Sequence, residues 1–269
     1  MFAFRFPLIR AWTTAAVALG CLLLAQAHAF DLQGHRGARG LLPENTLAAF
    51  ERALEIGVST IELDIAITAD GVPVISHNPA LDPAITRDVS GKWLKGKGPL
   101  IKSLTLAQLQ AYDVGRIDPS SGYHTGFPTQ QPRDGLRIPT LASLFALVRN
   151  KGADMVRFDI ETKIFPHQPH DTVGVEEFVT VLLAAIREAG MTQRVMVQSF
   201  VWRSLQLIQK LEPAIETAYL TMEFNGANTV RDSAWTAGMR RDDHASVAHM
   251  VRASGGTTWS PNFNHIDAA

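Results

Sequence analysis

The chain has 269 residues, of which 46% are hydrophobic and 19% are charged, and its formal net charge is −1. This composition is that of a globular protein and excludes a disordered, collagen-like or low-complexity chain. A net charge so close to zero provides no overall basic field for nucleic acid, so we expect no nucleic-acid partner.

The first 29 residues have the pattern of a secretory signal peptide. Arg5 and Arg10 precede an apolar stretch, and Ala27-His28-Ala29 fits the small-residue cleavage site. The apolar run is short for a membrane span, so we expect no stable membrane insertion after cleavage. The sequence therefore predicts a mature domain over 30–269 that is periplasmic or secreted. A lipoprotein signal at Cys21 is the alternative.

Cys21 is the single cysteine of the chain and would leave with the signal peptide. The mature domain would then contain no disulfide, no thiolate metal site and no cysteine nucleophile. Any metal must be bound by oxygen or imidazole ligands.

Strands and helices alternate along the rest of the chain. Periodicity predicts, in chain order, a strand over 32–35, a helix over 45–56, strands over 60–67 and 72–76, helices over 104–112 and 141–150, a strand over 155–160, a helix over 176–189, a strand over 194–198, a helix over 202–210, a strand over 216–222, a helix over 245–253 and a strand over 257–260. The turn at Ala69-Asp70-Gly71 suggests a tight, hairpin-like connection into the third strand. Residues 78–140 are rich in glycine and proline, and we interpret them as a cap inserted after that strand.

Alternating strands and helices favour an α/β fold with a parallel sheet. Seven predicted strands are one short of a closed TIM-type (β/α)8 barrel. The chain ends where a further helix would begin, so we expect a barrel that lacks its last helix and strand.

Acidic residues lie on the predicted second and fourth strands. Glu62 and Asp64 are two residues apart, so both side chains point to one face, while Ile61 and Leu63 point to the other. Carboxylates that point into a barrel require a compensating cation, and Glu161 can supply a third oxygen ligand. Three carboxylates without soft ligands favour one divalent ion, Ca²⁺ or Mg²⁺.

Basic and imidazole side chains follow the same strand ends. Arg36 and Lys163 can neutralise phosphate oxygens, and His35 and His77 can serve as a general acid and base pair. Together with a metal, these groups suit the cleavage of a phosphodiester.

An ordered set of motifs runs from Gln33 to about Pro261. In chain order they are His35-Arg36-Gly37, Pro43-Glu44-Asn45-Thr46, Ala49-Phe50, Glu62-x-Asp64, Gly71-x-Pro73-Val74, His77, Ile138-Pro139-Thr140-Leu141, Glu161-x-Lys163 and Gln198-Ser199-Phe200. As a set they closely resemble the glycerophosphodiester phosphodiesterases of the exported bacterial type.

The resemblance implies a TIM barrel with an inserted cap that hydrolyses glycerophosphodiesters, such as glycerophosphocholine, to glycerol 3-phosphate and an alcohol. It implies that His35 and His77 are the catalytic pair. The metal ligands and phosphate contacts that it implies are Glu62, Asp64, Glu161, Arg36 and Lys163. Many relatives have an aspartate directly after the second histidine, where this chain has Asn78.

Three further residues are predicted to bind substrate, each with a structural alternative. Glu44 is either a ligand or a partner for the first amides of the helix that follows. Gln198 either contacts substrate or supports the fold, and Trp259 lines either the substrate cleft or the core. Two other functions stay open: hydrolysis of lysophospholipids or phosphoinositides on the same barrel, and binding of phosphate esters by a disabled, exported barrel.

Overall fold

The computed structural model describes residues 31–224 and 226–265. The predicted signal peptide over 1–29 and the alternative signal at Cys21 lie outside the described residues. No helix in this part of the chain is both long enough and apolar enough to cross a membrane.

Short strands and helices alternate along the chain. The strands are β1 Gln33–Gly34, β2 Thr60–Ile67, β3 Pro73–Ile75, β4 Arg157–Thr162, β5 Val195–Ser199, β6 Glu216–Thr221, β7 Glu223–Phe224, β8 Ala227–Asn228 and β9 Thr258–Pro261. The α-helices are α1 Leu47–Ile56, α2 Leu106–Leu109, α3 Leu141–Asn150, α4 Val175–Glu188, α5 Trp202–Leu211 and α6 Val247–Ala253. Short 3₁₀ turns cover Ile101–Ser103, Gly122–Gly126, Thr192–Arg194, Arg241–Asp243 and Phe263–His265.

Six strands form one parallel sheet in the order β1-β2-β4-β5-β6-β9. Each crossover between consecutive parallel strands carries a helix, which is the construction of a TIM-type α/β barrel. Within residues 31–224 and 226–265, no ladder joins β9 back to β1. The predicted fold class, an α/β barrel that lacks part of its ring, is therefore confirmed.

The sequence of β2 explains how the sheet separates core from site. Ile61, Leu63 and Ile65 are fully buried and belong to the main hydrophobic core with residues of α1, α3, α4 and α5. Glu62 and Asp64 alternate with them and point to the opposite face of the sheet. The apolar face thus anchors the helices, and the polar face is left for the barrel interior.

The third strand departs from the parallel pattern. β3 pairs antiparallel with β2, with Ile65 opposite Ile75, so it forms a hairpin with β2 and is not a barrel strand. The tight turn before it is what permits antiparallel pairing, because a parallel neighbour needs a longer crossover. The predicted hairpin-like connection is correct, whereas counting this strand as one of seven in a parallel ring is wrong.

Several predicted boundaries also shift. β4 begins two residues later than predicted, because Met155 is 90% exposed and lies before the sheet. Glu161 is consequently inside the strand instead of following it. The helix predicted over 104–112 contains only the single turn Leu106–Leu109, and the β7–β8 hairpin was not predicted.

The segment between β3 and α3 has a small core of its own. Leu81, Ile101, Leu109 and Val114 are buried in it, against residues of the β2–β3 hairpin. An antiparallel bridge between Val74 and Thr140 brings the two ends of the segment together. The segment therefore extends from one edge of the hairpin as a compact unit.

Candidate active site

A cavity of about 560 Å³ lies along the polar face of the sheet. On β4 and β5 its walls are formed by alternate strand residues, those that point away from the helices. Eight of the ten residues predicted for the site line it, and they are His35, Arg36, Glu62, His77, Glu161, Lys163, Gln198 and Trp259. The other two, Asp64 and Glu44, are buried beside it.

The loop between β1 and α1 turns sharply to present His35 and Arg36. Arg36 has a φ of 52° and Asn45 a φ of 55°, both in the left-handed region that non-glycine residues rarely adopt. The Asn45 amide donates to the Arg36 carbonyl at 3.0 Å, and the Arg36 amide donates to Glu62 Oε2 at 2.7 Å. The unusual backbone is thus held from both sides, as expected where a site imposes strain.

Gly37 allows this loop to approach α1. Its φ is 78°, and a Cβ there would lie 2.7 Å from the carbonyl carbon of Ala49. Because that neighbour is helix backbone, it cannot move aside cheaply. The glycine after His35-Arg36 is therefore required by both conformation and space.

We expect Gly37→Ala to destabilise the protein by about 1–3 kcal/mol, since it combines overpacking with an unfavourable φ. The free energy of unfolding in urea measures the effect. Gly40→Ala is the matched control in the same loop, because a Cβ at Gly40 meets nothing within 4 Å and its φ is not in the left-handed region. Equal stability of the two variants would contradict this account of Gly37.

Three carboxylates meet on β2 and β4. Asp64 is in register with Glu161 on the neighbouring parallel strand, and Glu62 lies two residues before Asp64. One oxygen from each of Glu62, Asp64 and Glu161 lies within 4.8 Å of the others, and all three residues are buried. This is the group that the sequence predicted as metal ligands.

Two cations and the side-chain amide of Asn45 lie against Asp64, and one of the cations also contacts Glu161. Lys163 Nζ donates to Glu161 Oε1 at 2.7 Å and lies 3.6 Å from Asp64 Oδ1. Arg36 Nε lies 3.3 Å from Asp64 Oδ2, which also accepts a hydrogen bond from Asn45 Nδ2 at 2.9 Å. Asp64 is the residue that all of these groups share.

The pKa values of the three carboxylates are shifted in different directions. Burial would raise the pKa of Asp64, but Lys163 and His77 among other groups lower it to about 2. Burial raises the pKa of Glu161 to about 7 and, with the charge of Asp64, that of Glu62 well above its usual value. The ionised forms of Glu161 and Glu62 are therefore disfavoured unless a further positive charge is present.

These residues fit a hard divalent cation. An added double positive charge would favour the ionised forms of Glu62 and Glu161, which burial disfavours. Asp64 Oδ1 is buried and has no hydrogen-bond partner among the residues the structure describes. All the candidate ligand atoms are oxygens, which excludes a preference for soft metals at this position.

The two histidines have different partners. His35 is 57% exposed at its side chain, its Nδ1 accepts from Arg39 Nη2 at 3.1 Å, and its Nε2 lies 3.8 Å from Glu62 Oε2. His77 Nδ1 lies 2.7 Å from Asn78 Oδ1. Both therefore have a nitrogen engaged by the protein and a ring beside the cavity.

Both imidazoles favour the neutral form. Partial desolvation by the surrounding loop, and then the charges of Arg39 and Arg36, lower the pKa of His35 to about 4 although its side chain is more than half exposed. Burial and the nearby Lys163 lower the pKa of His77 to about 4 against the opposing charge of Asp64. An anion that enters the cavity would act in the opposite direction and favour protonation.

A second cavity, of about 260 Å³, lies between the site and the inserted segment. Arg36 and His77 line both cavities. Glu44 stands on its wall, accepting from Arg36 Nη1 at 2.8 Å and from the Tyr123 hydroxyl. Tyr123 is thus one side chain of the inserted segment that contacts a residue of the site.

The contacts of Glu44, Gln198 and Trp259 distinguish between the alternatives predicted for each of them. Thr46, not Glu44, accepts from the first amides of α1, so Glu44 is a partner of Arg36 and not a helix cap. Gln198 Nε2 donates to Glu62 Oε1 at 3.0 Å, which holds a carboxylate in place. Trp259 is 37% exposed, lines the cavity and donates to Thr221 Oγ1, so it is not a core tryptophan.

Four site residues were not predicted from the sequence. Asp159 is buried on β4 opposite Glu62, and its position two residues before Glu161 gives the same alternation that identified Glu62 and Asp64. Arg39 and Asn45 lie on a loop and Tyr123 lies on a short 3₁₀ turn, where no periodicity indicates which way a side chain points.

Comparison with known proteins identifies relatives of this chain. A model of the glycerophosphoryl diester phosphodiesterase family matches residues 35–253. The glycerophosphodiester phosphodiesterase of Caldanaerobacter subterraneus subsp. tengcongensis is 32% identical over 186 residues, which cover 69% of this chain and 64% of the relative. The chain therefore spans just under two thirds of the length of the curated relatives that it matches first.

Solved structures show the same fold. A crystal structure from Silicibacter pomeroyi DSS-3, provisionally assigned as a glycerophosphoryl diester phosphodiesterase, has a TM-score of 0.76 at 34% identity, covering 87% of this chain and 75% of that one. A phosphodiesterase from Oleispira antarctica, solved with the product sn-glycerol 3-phosphate, has a TM-score of 0.58 at 22% identity, covering 88% of this chain and 77% of that one.

Proposed function

The chain belongs to the glycerophosphoryl diester phosphodiesterase family, and from that membership we propose that it hydrolyses glycerophosphodiesters to glycerol 3-phosphate and an alcohol. The observation that carries the proposal is the meeting of three buried carboxylates, two cations and two histidines around one cavity. The names of the relatives support the same reaction, including the product bound to the Oleispira phosphodiesterase.

Glu62, Asp64 and Glu161 would hold one divalent ion, Ca²⁺ or Mg²⁺. When bound, such an ion polarises a phosphoryl oxygen and offsets the negative charge that develops on it. Gln198 and the Arg36 amide hold Glu62 for this purpose, and Asn45 holds Asp64. These contacts support a preformed site.

Arg36 and Lys163 supply the remaining positive charge. Both are paired with carboxylates of the site, so their side chains are already ordered before a phosphate arrives. Such preorganised cations stabilise the charge that develops on the non-bridging oxygens in the transition state.

The hydrogen bonds of the histidines support different roles in proton transfer. His77 favours its neutral form and can accept the proton of the attacking oxygen, which belongs either to water or to the 2-hydroxyl of the glycerol. We assign the proton donor to His35, because an anion in the cavity would favour its protonated form. Protonation would release Nδ1 from Arg39, and the imidazolium could then give a proton to the leaving alcohol oxygen.

With water as the nucleophile, one bond from phosphorus to oxygen forms, another breaks, and the two proton transfers balance. With the 2-hydroxyl as the nucleophile, a cyclic phosphate forms, and water must then open it to give glycerol 3-phosphate.

A small, water-soluble substrate is favoured over a lipid. A lysophospholipid would need an exposed apolar rim for its tail, and the sequence offers Trp93, Leu94, Tyr123 and Phe127 in the inserted segment as candidates. All four are half-buried, and Tyr123 packs against Phe127 with ring centres 5.0 Å apart. This packing supports a compact cap over a soluble ester.

The direct test is release of glycerol 3-phosphate from glycerophosphocholine by the purified protein. We expect release with Ca²⁺ or Mg²⁺, none with a chelator, and recovery when one of the two ions is added back in excess. The ion that restores the higher rate identifies the preferred metal.

Two results would contradict the proposal. Thermal stabilisation by glycerophosphocholine without any product would favour the binding alternative. Faster hydrolysis of a lysophospholipid than of glycerophosphocholine would favour the lipid alternative.

We also propose that the protein acts outside the cytoplasm, periplasmic or secreted. The charged, apolar and small-residue segments of 1–29 support this. Sequencing the N-terminus of the protein recovered from the cells that make it tests the proposal, and we expect it to begin at Phe30.

A further inference from the structure

A chain of hydrogen bonds connects His77 to a carboxylate in the inserted segment. His77 Nδ1 lies 2.7 Å from Asn78 Oδ1, and Asn78 Nδ2 donates to Asp82 Oδ2 at 2.9 Å. The second carboxylate oxygen, Asp82 Oδ1, accepts from the Ala84 amide at 2.8 Å. The backbone carbonyl of Asn78 accepts from the Ser76 hydroxyl at 3.3 Å. Asp82 and Asn78 are therefore both fixed at more than one atom.

The chemistry of the partners sets the direction of every bond in this chain. An ionised carboxylate only accepts, so Asp82 must be faced by the NH₂ group of Asn78. The carbonyl oxygen of Asn78 then faces His77 and also only accepts, so His77 Nδ1 must donate. A neutral imidazole with its proton on Nδ1 has an unprotonated Nε2.

We propose that Asp82 is a positioning residue that acts through Asn78 to keep the proton of His77 on Nδ1, so that Nε2 is the proton acceptor. This proposal rests on the proposed function for its catalytic meaning. The carboxylate of Asp82 is separated from the His77 ring by the Asn78 amide, so it sets the direction of the hydrogen bonds without placing a charge against the ring.

Replacing Asp82 with asparagine is expected to reverse the direction of each hydrogen bond in this chain. In Asp82→Asn, the new carbonyl oxygen is retained by the Ala84 amide, so the new NH₂ group faces Asn78. Asn78 must then turn its own oxygen toward position 82 and its NH₂ group toward His77. His77 Nδ1 becomes an acceptor, and the proton moves to Nε2.

The double variant Asn78→Asp/Asp82→Asn should restore the original polarity. The carboxylate now stands beside His77 and accepts from Nδ1, while the amide at position 82 donates to that carboxylate and still accepts from Ala84. Exchanging the two side chains therefore separates hydrogen-bond direction from loss of a side chain.

The experiment combines kinetics with the ¹⁵N NMR signals of the His77 ring, assigned by their loss in His77→Gln. We expect the Nδ1-protonated tautomer in the wild type, the Nε2-protonated tautomer in Asp82→Asn, and the Nδ1-protonated tautomer again in the double variant. kcat for glycerophosphocholine should fall about 100-fold or more in Asp82→Asn, because general base catalysis contributes roughly 10²–10⁴. It should return to within about tenfold of wild type in the double variant.

Asp118→Asn is the matched control. Asp118 Oδ1 accepts from the Ser120 amide two residues on, as Asp82 Oδ1 does from Ala84, and it lies in the same inserted segment. We expect no change of kcat or of the His77 signals. An unchanged His77 tautomer in Asp82→Asn, or a double variant as slow as the single one, would overturn the proposal. The NMR result does not depend on activity, so it tests the hydrogen-bond chain even if the proposed hydrolysis is wrong.

Discussion

Replacing Asp64 with asparagine is expected to lower kcat/KM for glycerophosphocholine at least about a thousandfold. Asp64 is fully buried and is the carboxylate that Arg36, Lys163 and Asn45 share. Removing its charge would leave a divalent ion with two charged ligands instead of three, and metal catalysis contributes several kcal/mol of transition-state stabilisation. The same change leaves Arg36 and Lys163 with less opposing charge, which further disfavours a cation between them.

The measurement pairs steady-state kinetics with calorimetric titration of Ca²⁺ and Mg²⁺. We expect affinity for the active ion to fall about 10- to 100-fold or more. Asp154→Asn is the control, since Asp154 is exposed and precedes β4 outside the cavity. Near-native kcat/KM in Asp64→Asn, with unchanged metal affinity, would show that Asp64 neither binds the metal nor contributes to catalysis.

The barrel strands could be predicted because their sequences contain two independent signals. In β2 the alternation of Ile61, Leu63 and Ile65 with Glu62 and Asp64 fixes both the strand and the face that each side chain occupies. A one-residue shift in the pairing of β2 would bury Glu62 and Asp64 against the helices. Only one register therefore places the apolar residues in the core. The strand, its core face and two of the three candidate metal ligands were therefore predictable from one stretch of eight residues.

The connections were less predictable, because their conformation depends on contacts distant in the sequence. Asn45 reaches Asp64 across 19 residues, and Tyr123 reaches Glu44 across 79 residues. The left-handed backbone of Arg36 is stabilised by Glu62 from the next strand, which no local propensity indicates. Loops present functional side chains through such long-range contacts.

The antiparallel β3 strand shows a related limit. Its residues have ordinary strand character, and only the length of the preceding turn distinguishes a hairpin from a crossover. The hairpin has a functional consequence. Because β3 runs back along β2, the chain returns to the level of Asp64 within a few residues, and His77 follows there. His77 therefore borders both cavities, and the inserted segment that follows can reach it through Asn78 and Asp82.

The largest effect of a single side chain outside the carboxylates is expected for His35→Ala. We expect kcat for glycerophosphocholine to fall about 10²- to 10⁴-fold, the range of general acid–base catalysis, with a much smaller change in KM. The leaving alcohol would then have to depart without a proton donor beside it. Steady-state kinetics on the metal-saturated protein measure both constants.

This variant should stay folded, because the His35 side chain is more than half exposed and its partner Arg39 also packs over the Phe127 ring at 4.8 Å. An unchanged unfolding midpoint and unchanged metal affinity would separate loss of proton transfer from loss of structure. His170→Ala, at an exposed histidine outside both cavities, is the matched control and should behave as wild type. Turnover at a near-native rate in His35→Ala would mean that the leaving group receives its proton elsewhere. The hydrogen bond from Arg39 would then serve only to hold the loop between β1 and α1.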